Sequence, residues 1–229
     1  MKILTINPGS TSTKVALFEN ENVLAKKTVR YDSKKLSKYD ELIDQIPLRK
    51  KDIISFLKEQ KVQLKDIDGF IGRGGLMKPV KSGIYLVNDE MIKDLSSCKY
   101  GEHASNLGGL IAHELANKVG KEAYIADPVF VDEMSSVARI TGLNGISRNP
   151  IWHALNQKAV AKKYASSIDV EYEDLNLIVA HLGGGISVGY HKRGNVTDVN
   201  NALDGDGPFS PERTGGLPVA EVYKLAFSG

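Results

Sequence analysis

A pattern of short apolar runs that occurs twice constrains the fold of this chain more than any other feature. In each copy, a glycine-containing turn joins the first two runs. Short apolar runs bounded by turn residues are typical of β-strands. Two copies of one three-stranded unit therefore predict two α/β lobes that share a plan. The runs are 3–6, 15–18 and 23–31 in the first copy, and 175–182, 186–190 and 196–199 in the second.

The first turn could bind an anion or be an ordinary reverse turn. Its sequence, Asn7-Pro8-Gly9-Ser10-Thr11-Ser12-Thr13-Lys14, lacks the second glycine of a Walker A loop and leads into a strand instead of a helix. The amide, hydroxyls and backbone N–H groups of Asn7, Ser10, Ser12 and Thr13 could converge on a phosphate. The same side chains could instead bond their own backbone, so both interpretations stay open.

Two charged residues follow predicted strands, where open α/β sheets bind ligands. Arg73 follows the run 67–71 and has glycines on both sides, which suits an anion site or an exposed loop. Asp127 follows the run 122–126 and suits a hard cation such as Mg²⁺ beside a phosphate, or a solvated Asp-Pro turn.

Two histidines lie near predicted helix starts. His103 begins a helix over 103–119, where the helix dipole favours anions. Asn149-Pro150 predicts an N-cap and a first helical residue, which places His153 in the first turn of a helix that ends near 166. We expect the lobes to be 1–148 and 149–229. The predicted apolar face of this helix is Trp152, Leu155, Ala159 and Val160.

Composition excludes several classes of protein. Of the 229 residues, 41% are hydrophobic, a composition typical of a globular protein. The formal net charge of +2 is too small to indicate a nucleic-acid partner. No apolar run approaches the roughly 18 residues of a membrane span, and the first run is too short for a signal peptide. We expect a cytoplasmic protein without a membrane or nucleic-acid partner.

Seven motifs, in order, resemble those of the acetate and butyrate kinases, within the superfamily of acetate and sugar kinases, heat-shock 70 proteins and actin. The resemblance implies an α/β, two-lobed, duplicated ββαβ-type ribonuclease H-like (actin-like ATPase) architecture. The residues of several motifs are more similar to those of butyrate or branched-chain fatty acid kinases than to those of acetate kinases. The motifs are Asn7 to Lys14, Gly72-Arg73-Gly74-Gly75, His103 to Asn106, Ala126 to Val129, Trp152 to Gln157, His181 to Gly185 and Pro208 to Arg213.

The resemblance implies that ATP phosphorylates a short-chain carboxylate, with Mg²⁺, to give ADP and an acyl phosphate. Because a carboxylate is already ionised, such a site needs cations and oriented donors more than a strong base. By resemblance, Arg73 holds the carboxylate or the transferring phosphoryl group, Arg213 and His153 stabilise its equatorial oxygens, and Asp127 orients the metal.

Other roles follow from the same resemblance. Asn7, Ser10, Ser12 and Lys14 would line the phosphate or metal region, with Asn7 a second metal candidate. His181, Gly183, Gly184 and Gly185 would form a second phosphate loop. Acetate kinases carry bulky aliphatic residues where this chain has Gly74 and Gly75, so we expect a larger acyl pocket here. His103, Trp152 and Pro211 are the remaining substrate-site candidates.

The second lobe of this family continues beyond the length of this chain, so the resemblance predicts an incomplete second lobe and little turnover by these residues alone. It also implies a homodimer or higher homo-oligomer. Three alternatives stay open: an acetate or propionate kinase, another small-molecule kinase in which Asp127 is the base for a hydroxyl, and a non-enzymatic actin-like nucleotide-binding protein.

Overall fold

The computed structural model describes residues 1–228, which form two compact units. Unit 1 comprises Met1–Lys78 and Gly83–Pro128, and unit 2 comprises Pro79–Ser82 and the chain from Val129 onward. The predicted division after residue 148 therefore lies inside unit 2. The reason is that Val131 and Met134 belong to the buried core of unit 2, which the loop-like composition of this segment did not reveal.

Unit 1 contains a six-stranded mixed sheet with the order β3-β2-β1-β4-β6-β5. The first three strands form an antiparallel meander, as the apolar runs predicted, while β4 is parallel to both β1 and β6. The strands are β1 Lys2–Gly9, β2 Ser12–Glu19, β3 Asn22–Arg30, β4 Gly69–Arg73, β5 Ile84–Leu86 and β6 Ala123–Ala126.

Four helices accompany this sheet: α1 Ser33–Leu36, α2 Ile46–Glu59, α3 Asp89–Ser96 and α4 Asn106–Asn117. A proline occupies the first turn of α2, where its missing N–H costs nothing. Helix α4 packs closely on β4 through glycines. A Cβ added to Gly72 would lie 2.2 Å from the carbonyl oxygen of Gly108, so neither position has room for a side chain. This contact fixes the end of β4, where Arg73 lies.

Unit 2 contains the second meander, an antiparallel sheet of β7 Asn176–Leu182, β8 Ile186–Lys192 and β9 Asn195–Val199. The repeat predicted from the sequence is confirmed. Helix α5, Ala154–Ser167, packs against one face of this sheet, and the last helix, α6, is Val219–Ala226. No helix within residues 1–228 is both long enough and apolar enough to cross a membrane.

Two predictions about α5 were wrong. The helix begins at Ala154 and His153 is its N-cap residue, so His153 lies just outside the first turn. The face predicted to be apolar is largely exposed, with Leu155 at 45% and Val160 at 50%. The buried face instead carries Gln157 and Lys158, because the sheet beneath it offers polar partners. The apolar periodicity of the sequence could not reveal partners that lie about 30 residues away.

Candidate functional site

The β1–β2 turn presents its polar side chains outward. Gly9 and Ser12 pair across the hairpin, so Ser10 and Thr11 form its tip, and Asn7 lies opposite Lys14 in the ladder. The side chains of Asn7, Ser10 and Lys14 are exposed, and Ser12 is half-buried. A cavity of about 420 Å³ has Asn7 and Lys14 in its lining, together with Lys26 on β3. The turn therefore offers hydroxyls, an amide and lysines to a ligand.

A buried arginine holds this turn from behind. The Arg49 guanidinium is 0% exposed and donates to the backbone carbonyls of Gly9 at 3.0 Å and Ser12 at 2.8 Å, and to that of Ser10 at 3.3 Å. It also lies 4.9 Å from the centroid of the Tyr31 ring, a cation–π distance. Burial lowers the pKa of Arg49. Sequence reasoning missed this residue because Arg49 sits among surface lysines and looks like part of a solvated helix face.

Thr13 is not available to an anion, contrary to the expectation for it. Its hydroxyl is buried and accepts a hydrogen bond from Arg49 Nη1 at 2.9 Å, and Tyr31 OH lies 3.2 Å away. Thr13 belongs to the support of the turn, and Asn7, Ser10, Ser12 and Lys14 remain the side chains that can face a ligand.

Arg73 ends β4 and has no charged partner within the part of the chain that the structure describes. Within residues 1–228, its guanidinium makes neither a hydrogen bond nor an ion pair. Burial lowers the pKa of Arg73, because desolvation disfavours the charged form. A half-buried cation without an anionic partner destabilises the folded protein, and a bound anion would reduce this free-energy cost. This environment suits a carboxylate or phosphate ligand.

Asp127 follows β6 in a strained backbone conformation. Its φ is 36°, which is unusual for a residue with a side chain, and its Oδ1 accepts a hydrogen bond from the Gly83 N–H at 2.8 Å. Such strain often occurs at functional sites. The described residues contain no group of three potential carboxylate, thiolate or imidazole ligands. A single carboxylate still fits Mg²⁺, which proteins commonly hold through one or two carboxylates, substrate phosphates and water.

Gly74 and Gly75 do not leave open space for an acyl chain, so that explanation of their size was wrong. A Cβ on Gly74 would lie 2.5 Å from Cβ of Pro128, and one on Gly75 would lie 2.5 Å from Cα of Asn106. Both glycines are required by the close packing of the β4 end against α4 and the Asp127 loop. His103, just before α4, lies with its Nδ1 2.8 Å from Ser105 Oγ.

In unit 2, the structure brings together the residues predicted for the second phosphate loop. Gly183, Gly184 and Gly185 connect β7 to β8, and a Cβ on Gly185 would lie 2.6 Å from Arg213 Nη1 and 3.4 Å from Cε1 of His153. The rings of His153 and His181 are parallel and stacked, with centroids 3.7 Å apart. Arg213 has a weak ion pair with Glu212 at 3.7 Å.

The two remaining substrate candidates of unit 2 lie in different environments. Trp152 is 2% exposed, belongs to the core with Val131 and Val199, and donates its indole N–H to the Val131 carbonyl at 2.8 Å. Trp152 is therefore a core residue and not a pocket wall, which corrects the prediction. Pro211 is exposed.

A set of buried polar residues beside His153 was not predicted. Three of them are 0% exposed: Ser187 and His191 on β8, and Gln157 on α5. Gln157 is hydrogen-bonded to both Ser187 and His191. The available signal was the polar Asn156-Gln157-Lys158 segment within a helix, but it gave no indication of which side was buried.

Two butyrate kinases are similar to this chain over nearly all of its residues. The chain is 55% identical over 228 residues to butyrate kinase 2 of Clostridium acetobutylicum, covering 100% of this chain and 64% of the relative. It is 51% identical over 227 residues to butyrate kinase 1 of the same organism, covering 99% of this chain and 64% of the relative. No family model matched the chain.

Solved structures show the same fold at lower identity. The acetate kinase of Porphyromonas gingivalis superposes with a TM-score of 0.73 at 21% identity, covering 100% of this chain and 64% of that one. A propionate kinase from Francisella tularensis gives 0.70 at 20% identity, covering 100% and 65%. The chain thus spans about 64% of the length of the curated relatives it matches. The chain is similar in sequence to the butyrate kinases along its own length, and it has the fold of the acetate and propionate kinases.

Proposed function

We propose that this chain contributes the carboxylate- and phosphate-binding residues of an ATP-dependent kinase that converts butyrate or a branched short-chain acid to an acyl phosphate. Arg73 carries the proposal, because its desolvated guanidinium has no anionic partner among residues 1–228. Its motif is one of those that resemble the butyrate kinases, and the identity of 55% to butyrate kinase 2 supports a short-chain carboxylate as the substrate class.

In the proposed reaction, a carboxylate oxygen attacks the γ-phosphorus of ATP in line with the leaving group. The new O–P bond forms as the bond from γ-phosphorus to the bridging oxygen breaks, and that oxygen leaves with ADP. No proton has to be removed from the nucleophile. The main obstacle is repulsion between two anions, and Arg73 opposes it by binding the carboxylate or the transferring group.

The residues of unit 2 supply donors for the phosphates. His153, Arg213 and the backbone N–H groups of Gly183 to Gly185 lie around one turn, where they suit the oxygens of a phosphoryl group that gains charge. In unit 1, Ser10, Ser12 and Lys14 would contact phosphate oxygens, and Arg49 keeps the turn that carries them in place.

Asp127, with Asn7 as a second candidate, would hold Mg²⁺. When bound with ATP, this ion would neutralise charge on the phosphate oxygens. The positive φ of Asp127 and its hydrogen bond from Gly83 fix the direction of the carboxylate before any ligand arrives.

The test uses a chimaera, because this chain spans only part of its relatives. The chain replaces the matching 228 residues of C. acetobutylicum butyrate kinase 2, and acyl phosphate is trapped with hydroxylamine. Arg73→Gln removes the half-buried cation, whereas Arg30→Gln removes an exposed one at the end of β3 as a matched control.

We expect Arg73→Gln to lower kcat/KM for butyrate by about 10²–10³-fold, as removal of a charge-stabilising donor does. Arg30→Gln should retain the parent activity within about twofold, as expected of an exposed substitution. Equal activities of the two variants, in proteins with the same circular dichroism, would contradict the proposal.

A further inference from the structure

A continuous hydrogen-bond network in unit 2 connects the side chain of Tyr172 to that of His153. Tyr172 OH lies 2.7 Å from His191 Nδ1, and His191 Nε2 lies 3.0 Å from Gln157 Oε1. Gln157 Nε2 donates to Ser187 Oγ at 2.8 Å, and Ser187 Oγ lies 2.8 Å from His153 Nδ1. The hydrogen-bond network thus connects residues of β8 and α5 to His153, the N-cap residue of α5.

The direction of each hydrogen bond in this network follows from which atoms can donate and which can only accept. Gln157 Nε2 lies 3.0 Å from the Ser187 backbone carbonyl, which can only accept, so this atom is the amide nitrogen. Gln157 Oε1 must then accept from His191, which places the His191 proton on Nε2. His191 Nδ1 is left as an acceptor for the Tyr172 hydroxyl.

Ser187 passes this order on to His153. Its Oγ accepts from Gln157 Nε2 and lies 3.3 Å from the His153 backbone N–H, a second donor. A hydroxyl has one proton and two lone pairs, so with both lone pairs engaged its proton points to His153 Nδ1. His153 Nδ1 therefore accepts, and a neutral His153 carries its proton on Nε2.

Burial makes this order hard to reverse. Ser187, Gln157 and His191 are 0% exposed and Tyr172 is 4% exposed, so water is not at hand to replace a lost partner. Desolvation, and next to it the charge of Lys158, lower the pKa of His191 to about 4, which keeps this ring neutral at physiological pH. A charged His191 would carry a proton on Nδ1 and break the order at its start.

We propose that Ser187, Gln157, His191 and Tyr172 are positioning residues that hold His153 as its Nε2–H tautomer. His153 then meets the transferring phosphoryl group as a neutral hydrogen-bond donor through Nε2. This last step rests on the proposed kinase function, whereas the tautomer assignment rests on the hydrogen bonds alone.

The tautomer is measured directly by NMR on the chain itself, labelled with ¹⁵N-histidine. The chain has five histidines, few enough to assign by single substitutions. At slightly alkaline pH, we expect His153 to show one unprotonated Nδ1 and one protonated Nε2, without averaging. A protonated Nδ1 on neutral His153, or averaging of the two nitrogens in the unaltered chain, would overturn the proposal without need of any variant.

Two substitutions test the cause. Ser187→Ala removes the donor to His153 and should make the two ¹⁵N shifts of His153 converge through tautomer exchange. Ser166→Ala, on the exposed side of α5, is the matched control and should leave them unchanged. Unchanged ¹⁵N shifts of His153 in Ser187→Ala would refute the proposal that the hydrogen-bond network selects the His153 tautomer.

Activity separates this inference from the proposed function. In the chimaera, Ser187→Ala should lower kcat for butyrate about tenfold or more with KM nearly unchanged, as expected when an interaction made only in the transition state is weakened. If the tautomer result holds but kcat does not change, the catalytic role given to His153 is wrong while the tautomer assignment stands.

Discussion

The buried His191 makes the stability of unit 2 depend on pH in a way that can be calculated. Its ring is 0% exposed and hydrogen-bonded to Tyr172 and Gln157. Desolvation by burial is the main cause that lowers its pKa to about 4, from an ordinary value of 6.5, and the charge of Lys158 adds to it. Glu133, the ion-pair partner of Lys158, acts in the opposite direction.

The sign follows from proton linkage. Below its ordinary pKa the unfolded chain binds a proton at His191, whereas the folded chain does not until the pH nears 4. Stability is therefore lost as the pH falls between these two values, and it is retained above them. From about pH 7 to pH 5, this single group should reduce the free energy of unfolding by about 2 kcal/mol.

The assay is urea unfolding followed by tryptophan fluorescence. Trp152 is the single tryptophan, it is buried in unit 2, and its ring centroid lies 6.1 Å from that of His191. It therefore reports on the unit that contains the titrating group. His191→Gln removes the titration, so the difference in slope between the two proteins isolates His191 from the carboxylates that both share.

We expect the unaltered chain to lose about 2 kcal/mol more than His191→Gln between about pH 7 and pH 5, whatever their absolute stabilities. Parallel stability curves, with a difference that does not change with pH, would refute the reasoning. An NMR titration of His191 that gave an ordinary pKa would refute it independently.

Two further predictions concern unit 1. Arg49→Met should cost about 1–3 kcal/mol and speed amide exchange in the β1–β2 turn, because it leaves the part-buried carbonyls of Gly9 and Ser12 and the buried Thr13 hydroxyl without their donor. Lys51→Met, exposed on the same helix, is the control and should not change exchange in the turn. Gly108→Ala should destabilise by about 1–3 kcal/mol in thermal unfolding, since its Cβ would lie 2.3 Å from the Arg73 carbonyl oxygen. Gly142→Ala has nothing within 4 Å and should be nearly neutral, so equal effects of the two alanines would contradict the packing account.

The elements with strong local signals were predicted from the sequence. Both meanders were found because their apolar runs and glycine turns are short-range features, and the structure places β1 to β3 and β7 to β9 where these runs lie. Helix α2 begins next to Pro47, as a proline at a first helical turn indicates. Such features depend on neighbours in the chain, which the sequence displays directly.

The errors concern residues whose environment is made by distant parts of the chain. Gly74 and Gly75 looked like space for a substrate, yet Pro128 and Asn106 fill that space. Trp152 lies in a motif with His153, but its side chain points into the core.

Arg49 and Gln157 have the sequence context of surface residues, and only tertiary structure shows that both are buried. Polar side chains with distant buried partners leave no periodic signal. The position of Arg73 at the end of a strand was predicted from the sequence, whereas the hydrogen bonds that Arg49 and Gln157 make with distant residues were not.

The most direct test of the central claim is the choice of phosphoryl acceptor. The chimaera with butyrate kinase 2 is supplied with MgATP and, in separate reactions, butyrate, isobutyrate, acetate or glycerol, and both ADP release and hydroxylamine-trapped acyl phosphate are measured. We predict that the carboxylates give equal amounts of ADP and acyl hydroxamate and that butyrate or isobutyrate has the highest kcat/KM. Arg73→Gln should lower this kcat/KM by about 10²–10³-fold. ADP release that is faster with the alcohol than with any carboxylate, or hydroxamate formation that does not depend on Arg73, would contradict the account.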